Sequence, residues 1–505
     1  MTDETQNAES DDAKRKLATE AASDVSQKEA PPPIALAVDH YLSSVRGIAR
    51  TARIAIPHIN RWKYEEIKTH VTYIDEFLGQ YKKNQDSSEN TGKNNAQGPS
   101  TLVVTSARDL AKFINAAREV QELDAFNSTA ILTKSLFTQI FSEFDAFMGS
   151  LLKILYLKNE DLLKSIAREI SFEDLLGFDN LQAVKLSMLD KEIETFRRDS
   201  YVEQFSTLEK KFKIPLKKFP EWADFVELSQ RRNILTHNGG GVSDQYISIC
   251  EREGYKFKEK PKKGEYLGVS IDYLFDAGRL LSKVGLMLAF TLWFKMSPKE
   301  CEKIHESLNN VIFHSLQQKR WYFVAELTDF VLGKAMCTGI SDVMHRIRLI
   351  NAAIGLKFSG KDKESEIVLD SVDWSASYRD FKLANAVLRD NFTEAVSLMK
   401  SIGKSGEIIR KESYHYWPLF SAFRERPEFY AAYFEVYGEP FSETLDTPEG
   451  SFEAQAETGS PTGAKQDMDV TDVDSRDTSA SREGLTQKDD DTDESKQESP
   501  PSGGL

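Results

Sequence analysis

Cysteine is scarce: Cys250, Cys301 and Cys337 stand far apart in 505 residues, without a CxxC pair. That argues against both a disulfide framework and a zinc ribbon, and it fits a reducing compartment. The eight histidines form no HxH, HExxH or Cys/His cluster, so no metal and no cofactor is expected. The phosphate-loop patterns GxxxxGK[ST] and GxGxxG are missing too. The glycines of "NGGG" (238–241) follow a helix, where a phosphate loop must precede one. The most apolar run, "VGLMLAFTLWF", spans 11 residues from Val284 to Phe294, where a membrane helix needs about 20. The N-terminal "MTDETQNAESDDAKRKLATEAASD" lacks an apolar signal core. A cytoplasmic location without a membrane partner is therefore expected. Strand patterns are few, and the expected fold class is all-α.

The net charge of −15 is unevenly spread. Residues 443–505 hold 17 acidic and 5 basic side chains, a net of −12, and residues 1–33 carry −4. The intervening 34–442 is left at +1, so the acidity of the whole chain does not exclude a polyanionic ligand for its folded part.

Five segments follow from pattern and composition. Residues 1–33, ending in Pro31-Pro32-Pro33, read as a disordered N-terminal segment. Residues 34–100 read as N-terminal helices followed by a polar linker, "NQDSSENTGKNNAQGPS". Within 101–300, "ILTKSLFTQIFSEFDAFMGSLLKILYL" (131–157) sets Leu132, Leu136, Ile140, Phe144, Phe147 and Leu151 on one helical stripe. "EWADFVELSQRRNILTH" (221–237) is a second helix, with Pro220 at its start and Gly239 past its end. Residues 243–266 read as a polar loop with some strand character. "SIDYLFDAGRLLSKVGLMLAFTLWFKM" (270–296) is apolar almost all round and must be buried, a second copy of itself being one partner that could cover it. Residues 301–442 read as helical-repeat-like hairpins, although no clean 34-residue period recurs. Their last aromatic cluster, Tyr414, Tyr416, Trp417, Phe420 and Phe423, is either core or the lining of a groove for a partner peptide. Residues 443–505 read as a disordered acidic tail.

The chemistry concentrates in "RRNILTHNGG" (231–240). Arg232 and His237 are five positions apart, about 500° of helical rotation, and do not share a face of a straight helix, whereas Asn233 and His237 do. Metal-free RNA cleavage needs a proton taken from a 2′-hydroxyl, a proton given to a 5′-oxygen, and stabilisation of extra negative charge on phosphorus. A histidine titrating near neutrality serves the proton transfers. An arginine binds two phosphate oxygens at once. An isolated Arg-x4-His is otherwise most often an ordinary pair of surface residues.

This string, preceded by "WADFVELSQ", resembles the signature of HEPN domains (higher eukaryotes and prokaryotes nucleotide-binding). In these an Arg, a polar residue, a few variable positions and a His end a core helix. Arg232, Asn233 and His237 match those positions. "FSEFDAFMGSLL" is similar to the first core helix of that family, with Asp145, or less well Glu143, as the acidic residue facing the motif. The resemblance covers about residues 130–300. It implies a helical bundle that homodimerises and brings Arg–His pairs together in an interface cleft. It further implies a metal-independent endoribonuclease of the toxin–antitoxin or antiviral-defence kind. Arg232 and His237 would be catalytic, Asn233 orienting and Asp145 supporting. Other members of that family are non-catalytic nucleotide-binding or scaffold modules, and that alternative stays open.

Two lysine-rich stretches flank the motif, "KKFKIPLKKF" (210–219) and "YKFKEKPKKGEY" (255–266). Lys217, Lys218, Lys256 and Lys258, with Phe212, Phe219, Tyr255 and Phe257 for stacking, would suit single-stranded RNA. The plain alternative is a pair of solvated loops. Arg231 is a further phosphate candidate that points elsewhere on the helix. The expected partners are RNA, a second copy of the chain, and a protein bound by the helical-repeat region.

Overall fold

Helix α3 (Ser128–Lys158) begins where Asn127 accepts a hydrogen bond from the Ala130 amide, and its aromatic stripe is the seed of the core. Phe137, Ile140, Phe141, Phe144, Phe147 and Leu151 are all buried, while Leu132 and Leu136 pack at its edge. The computed structural model describes residues 30–88 and 106–442, with side chains for 30–79 and 106–442. The expected disordered termini and most of the polar linker lie outside the described residues.

Besides two single-turn helices at Glu160–Lys164 and Phe172–Leu176, the other helices of the first part are α1 (Pro33–Ser88), α2 (Ala107–Ala125), α4 (Leu181–Arg198), α5 (Tyr201–Phe212), α6 (Trp222–His237), α7 (Asp244–Arg252) and α8 (Ile271–Met296). Helices α1, α3 and α8 pack on one another as a central trio. Helix α1 is continuous through Ser88, so its helical backbone extends into the stretch expected to be a linker. Helix α8 is long and apolar enough to cross a membrane, yet 72% of its apolar window is buried inside the protein. Its own chain covers it. A Cβ added at Gly285 would sit 2.5 Å from the Tyr41 ring, so glycine is what lets α8 and α1 approach there. Tyr41 in turn stacks on Phe147 of α3 at 4.5 Å.

The stretch 243–266 departs from expectation. Ser243 caps a nine-residue helix, α7, by accepting from the Tyr246 amide, and Tyr246 and Cys250, four apart, are buried. A short amphipathic helix with only two anchoring side chains hides easily in a polar composition. The strand character is reduced to an isolated antiparallel bridge between Gly241 and Tyr266. Among the described residues no extended strand occurs, and the fold is all-α.

Beyond Ser297 the chain forms α9 (Cys301–Gln317), α10 (Trp321–Val331), α11 (Asp342–Phe358), α12 (Asp362–Asp370), α13 (Arg379–Leu388), α14 (Phe392–Ile402) and α15 (Pro427–Tyr437). Consecutive members pair, α10 with α11, α11 with α12 and α13 with α14. Arg348 of α11 is fully buried and joins three helices through neutral acceptors. It donates to Asn309 Oδ1 at 2.7 Å, to the Met336 carbonyl at 2.7 Å and to the Val331 carbonyl at 3.3 Å. Tyr414, Trp417, Phe420 and Phe423 are buried at the end of this array, whereas Tyr416 is 48% exposed. The hydrophobic core runs without interruption from Ile34 of α1 to Tyr433 of α15.

Candidate functional site

Helix α6 is not a conventional amphipathic surface helix, because Glu227, Ser229 and Gln230 are buried along with Phe225, Val226, Ile234 and Leu235. Its first turns pack into an aromatic nest. The Phe225 ring lies 5.8 Å from Phe144, 5.7 Å from Tyr201 and 5.3 Å from Phe205. The last turns emerge from this nest, so Arg232 and Asn233 are half-buried and His237 is exposed at the helix end.

Asp145 of α3 faces that emerging end. The Tyr201 hydroxyl, at the first position of α5, donates to Asp145 Oδ1 at 2.6 Å. Arg232 Nη2 lies 3.6 Å from the other carboxylate oxygen. Arg232 Nη1 also donates to Asn233 Oδ1 at 3.2 Å, while its buried Nε has no acceptor among the described residues. Asp145 and Asn233 together hold the guanidinium from two sides. Glu143, the weaker candidate, accepts instead from Gln139 on its own helix at 2.9 Å.

Burial raises the Asp145 carboxyl above its ordinary value, against the pull of the Tyr201 hydrogen bond and of Arg232 and Arg197. Burial and the adjoining Asp145 charge push the Tyr201 hydroxyl well above the usual tyrosine range. Tyr201 is therefore a neutral donor at every physiological pH, while burial and the polar partners of Asp145 act on its carboxyl in opposite directions.

Asp145, Arg232, Asn233 and His237 line one open cavity of about 500 Å³. Arg232 and His237, expected to diverge on a straight helix, thus border the same space within a single chain. The rest of the lining was not read from the sequence. Arg197 and Arg198, from the end of α4, border the cavity as well, Arg198 being paired with Glu194 of its own helix. Ser200 caps α5 through a reciprocal box with Glu203, and Ser243 caps α7. Both residues line the cavity, so the N-terminal caps of two helices border it. Gln204 and Gln230 lie deeper. Gln204 is 2% exposed and donates from Nε2 to the Asp199 carbonyl at 2.8 Å. Its Oε1 has no donor among the described residues.

The three glycines after the motif have a structural task. Gly239 and Gly240 adopt φ of 59° and 91°, and the Gly240 amide donates to the Ile234 carbonyl at 2.9 Å, closing the helix. A Cβ at Gly240 would fall 2.4 Å from the Tyr266 ring. Leu267 donates back to the Gly240 carbonyl at 2.9 Å, so the segment 264–267 braces the end of α6 below His237.

The other predicted residues fall outside this cavity. Arg231 turns into the core, donating from Nε to Glu227 Oε1 at 2.9 Å and from Nη1 to the Gly268 carbonyl at 3.1 Å. Glu227, 2% exposed, also accepts from the Tyr246 and Tyr273 hydroxyls, each at 2.6 Å. Arg231 is the counter-ion of a buried carboxylate. Lys217 donates to the Ser206 hydroxyl and lies over the Trp222 ring. Lys218 borders an apolar cleft beside Phe205 and Phe330. Lys256 and Lys258 are exposed. Phe212 is buried, Phe219 packs on Trp222 and Phe257 packs on Tyr246 and Tyr255. Among the described residues no group of three or more His, Cys, Asp or Glu side chains could hold a metal ion.

No family model matches the chain, and no curated protein or solved structure matches it either. The functional reading rests on the cavity.

Proposed function

We propose that the protein is a metal-independent endoribonuclease of HEPN type whose reaction takes place in the cavity at the end of α6. One observation carries this reading. Asp145, Arg232, Asn233 and His237, drawn from two helices, line a single cavity that the N-cap residues of two further helices, Ser200 and Ser243, also border. Such a setting attracts a phosphodiester, because oriented amides and guanidiniums favour negative charge.

In this mechanism the bridging phosphate lies against Arg232 and the α5 N-terminus. His237, exposed at the helix end, takes the proton of the 2′-hydroxyl as that oxygen attacks phosphorus. The 5′-oxygen leaves with a proton returned by an imidazolium, and the product is a 2′,3′-cyclic phosphate. Arg232 stabilises the charge that builds on the non-bridging oxygens. Asp145 and Asn233 fix the guanidinium, and Tyr201 fixes Asp145. Lys218, Lys256 and Lys258 would meet the RNA outside the cavity, in a cytoplasmic toxin or defence effector. A homodimer, and a protein partner on the helical-repeat region, belong to the same reading.

One observation favours a second reading, a nucleotide-binding module without cleavage. The buried Gln204 Oε1 has no donor among the described residues, and a ribose hydroxyl or base amino group would supply one.

Incubation of single-stranded RNA with the purified chain in EDTA separates the two. The nuclease reading expects cleavage by wild type and a loss of about 10²-fold or more in His237→Ala and Arg232→Ala. Intact RNA with a folded wild-type protein that binds mononucleotides would leave the second reading in place.

A further inference from the structure

A second polar cavity, of about 500 Å³, lies between the start of α1 and the junction of α9 with α10, and the proposed reaction makes no use of it. Asp39, His40 and Arg46 reach it from α1, and His314, Gln318 and Arg320 from the opposite wall. Two guanidiniums therefore converge on a space with one carboxylate. Arg46 Nη1 donates to the amide oxygen of Gln318, a neutral acceptor. The Arg320 guanidinium lies 4.0 Å from the centroid of the Phe323 ring, and its buried Nη1 has no acceptor among the described residues.

The electrostatics agree with the geometry. Burial, and then the charge of Arg46, lower the Arg320 pKa from 12.5 to about 10. The Asp39 carboxyl, raised by burial against the pull of His314 and Arg46, acts on Arg46 and is not among the charges that act on Arg320. A buried guanidinium donor without an acceptor, within repulsive reach of a second guanidinium, is unfavourable in the absence of an anion.

We infer that this cavity binds a small molecule through a phosphate group, with the Arg320 and Arg46 guanidiniums as donors and His40 and His314 at the rim. A phosphate suits it better than a carboxylate. Its tetrahedral oxygens accept from guanidiniums arriving from different directions, whereas one arginine fork already saturates a planar carboxylate. A small molecule suits it better than RNA, since the cavity is a recess between helices lined also by the apolar Leu36, Leu42 and Val311.

The test uses the full chain carrying Arg232→Ala, which weakens phosphate binding in the first cavity, with inorganic pyrophosphate as probe and calorimetry and thermal unfolding as readouts. Pyrophosphate should bind and raise the unfolding temperature. Adding Arg320→Met should weaken binding about tenfold or more, and without pyrophosphate this variant should unfold no earlier than its parent. Arg46→Gln, at a half-buried position on the cavity wall, should weaken binding similarly and guards against misfolding of the first variant. Pyrophosphate binding that survives both substitutions, or none at millimolar pyrophosphate, overturns the inference. A single-stranded RNA oligonucleotide whose binding falls with both Arg320→Met and Arg46→Gln overturns the small-molecule assignment.

Discussion

Asp145 meets the Tyr201 hydroxyl at 2.6 Å and Arg232 at 3.6 Å. Tyr201→Phe removes a hydrogen bond to a partly buried carboxylate. It should cost about 1–3 kcal/mol in urea unfolding and reduce RNA cleavage through a less constrained Arg232. Unchanged stability and unchanged cleavage would deny Tyr201 that positioning role. The titration of Asp145 gives a second outcome. Burial raises its folded-state value above 3.8, so between 3.8 and that raised value the folded chain holds a proton that the unfolded chain has released. Stability therefore falls as pH rises through that window. Asp145→Asn should lose this part of the slope when urea midpoints are compared with wild type from roughly pH 4 to 7; identical slopes contradict it. Arg232, Asn233 and His237 were legible because they are near neighbours in the chain. Asp145 was legible only through its resemblance to a family position. Arg197, Arg198 and Gln204 were not, because nothing linear distinguishes an arginine beside a cavity from one in open solvent.

At the scale of elements, α6 is fixed by a buried ionic hub and by the glycine turn that ends it. Glu227→Ala would leave Arg231 buried without its carboxylate and strip acceptors from Tyr246 and Tyr273. It should destabilise by about 3–5 kcal/mol, measured by urea unfolding, and a loss below about 1 kcal/mol would show that water replaces the carboxylate easily. Gly240→Ala adds a Cβ 2.4 Å from the Tyr266 ring at φ 91° and should cost about 1–3 kcal/mol. Gly239→Ala, at φ 59° with nothing within 4 Å, should cost only about 1 kcal/mol. Equal losses at the two positions would mean that the Tyr266 contact does not brace α6. The helix itself was readable from Pro220 and Gly239. The brace was not, because it depends on a loop returning from beyond α7, and α7 was masked by its polar composition. Arg231 misled for a related reason: the charge is visible in the sequence, but the buried Glu227 that takes it up looks like any surface glutamate.

For the whole molecule, aromatic periodicity in α3 and the all-round apolarity of α8 were enough to read the all-α class and the centre of the core. What they left open was who buries α8, and the answer is α1 and α3 of the same chain. That bears on the reaction, because one chain's Arg232 and His237 already border one cavity. Mixing Arg232→Ala with His237→Ala protein should therefore restore little or no cleavage, even if the chain dimerises. Substantial recovery would mean that the working site is shared between two copies. The most direct measurement is the chemical identity of the RNA ends produced by wild-type protein in EDTA. A 2′,3′-cyclic phosphate paired with a 5′-hydroxyl is the result this account predicts. A 3′-hydroxyl paired with a 5′-phosphate would contradict it, since water rather than the 2′-oxygen would then have attacked, and Arg232 and His237 would not be acting as described.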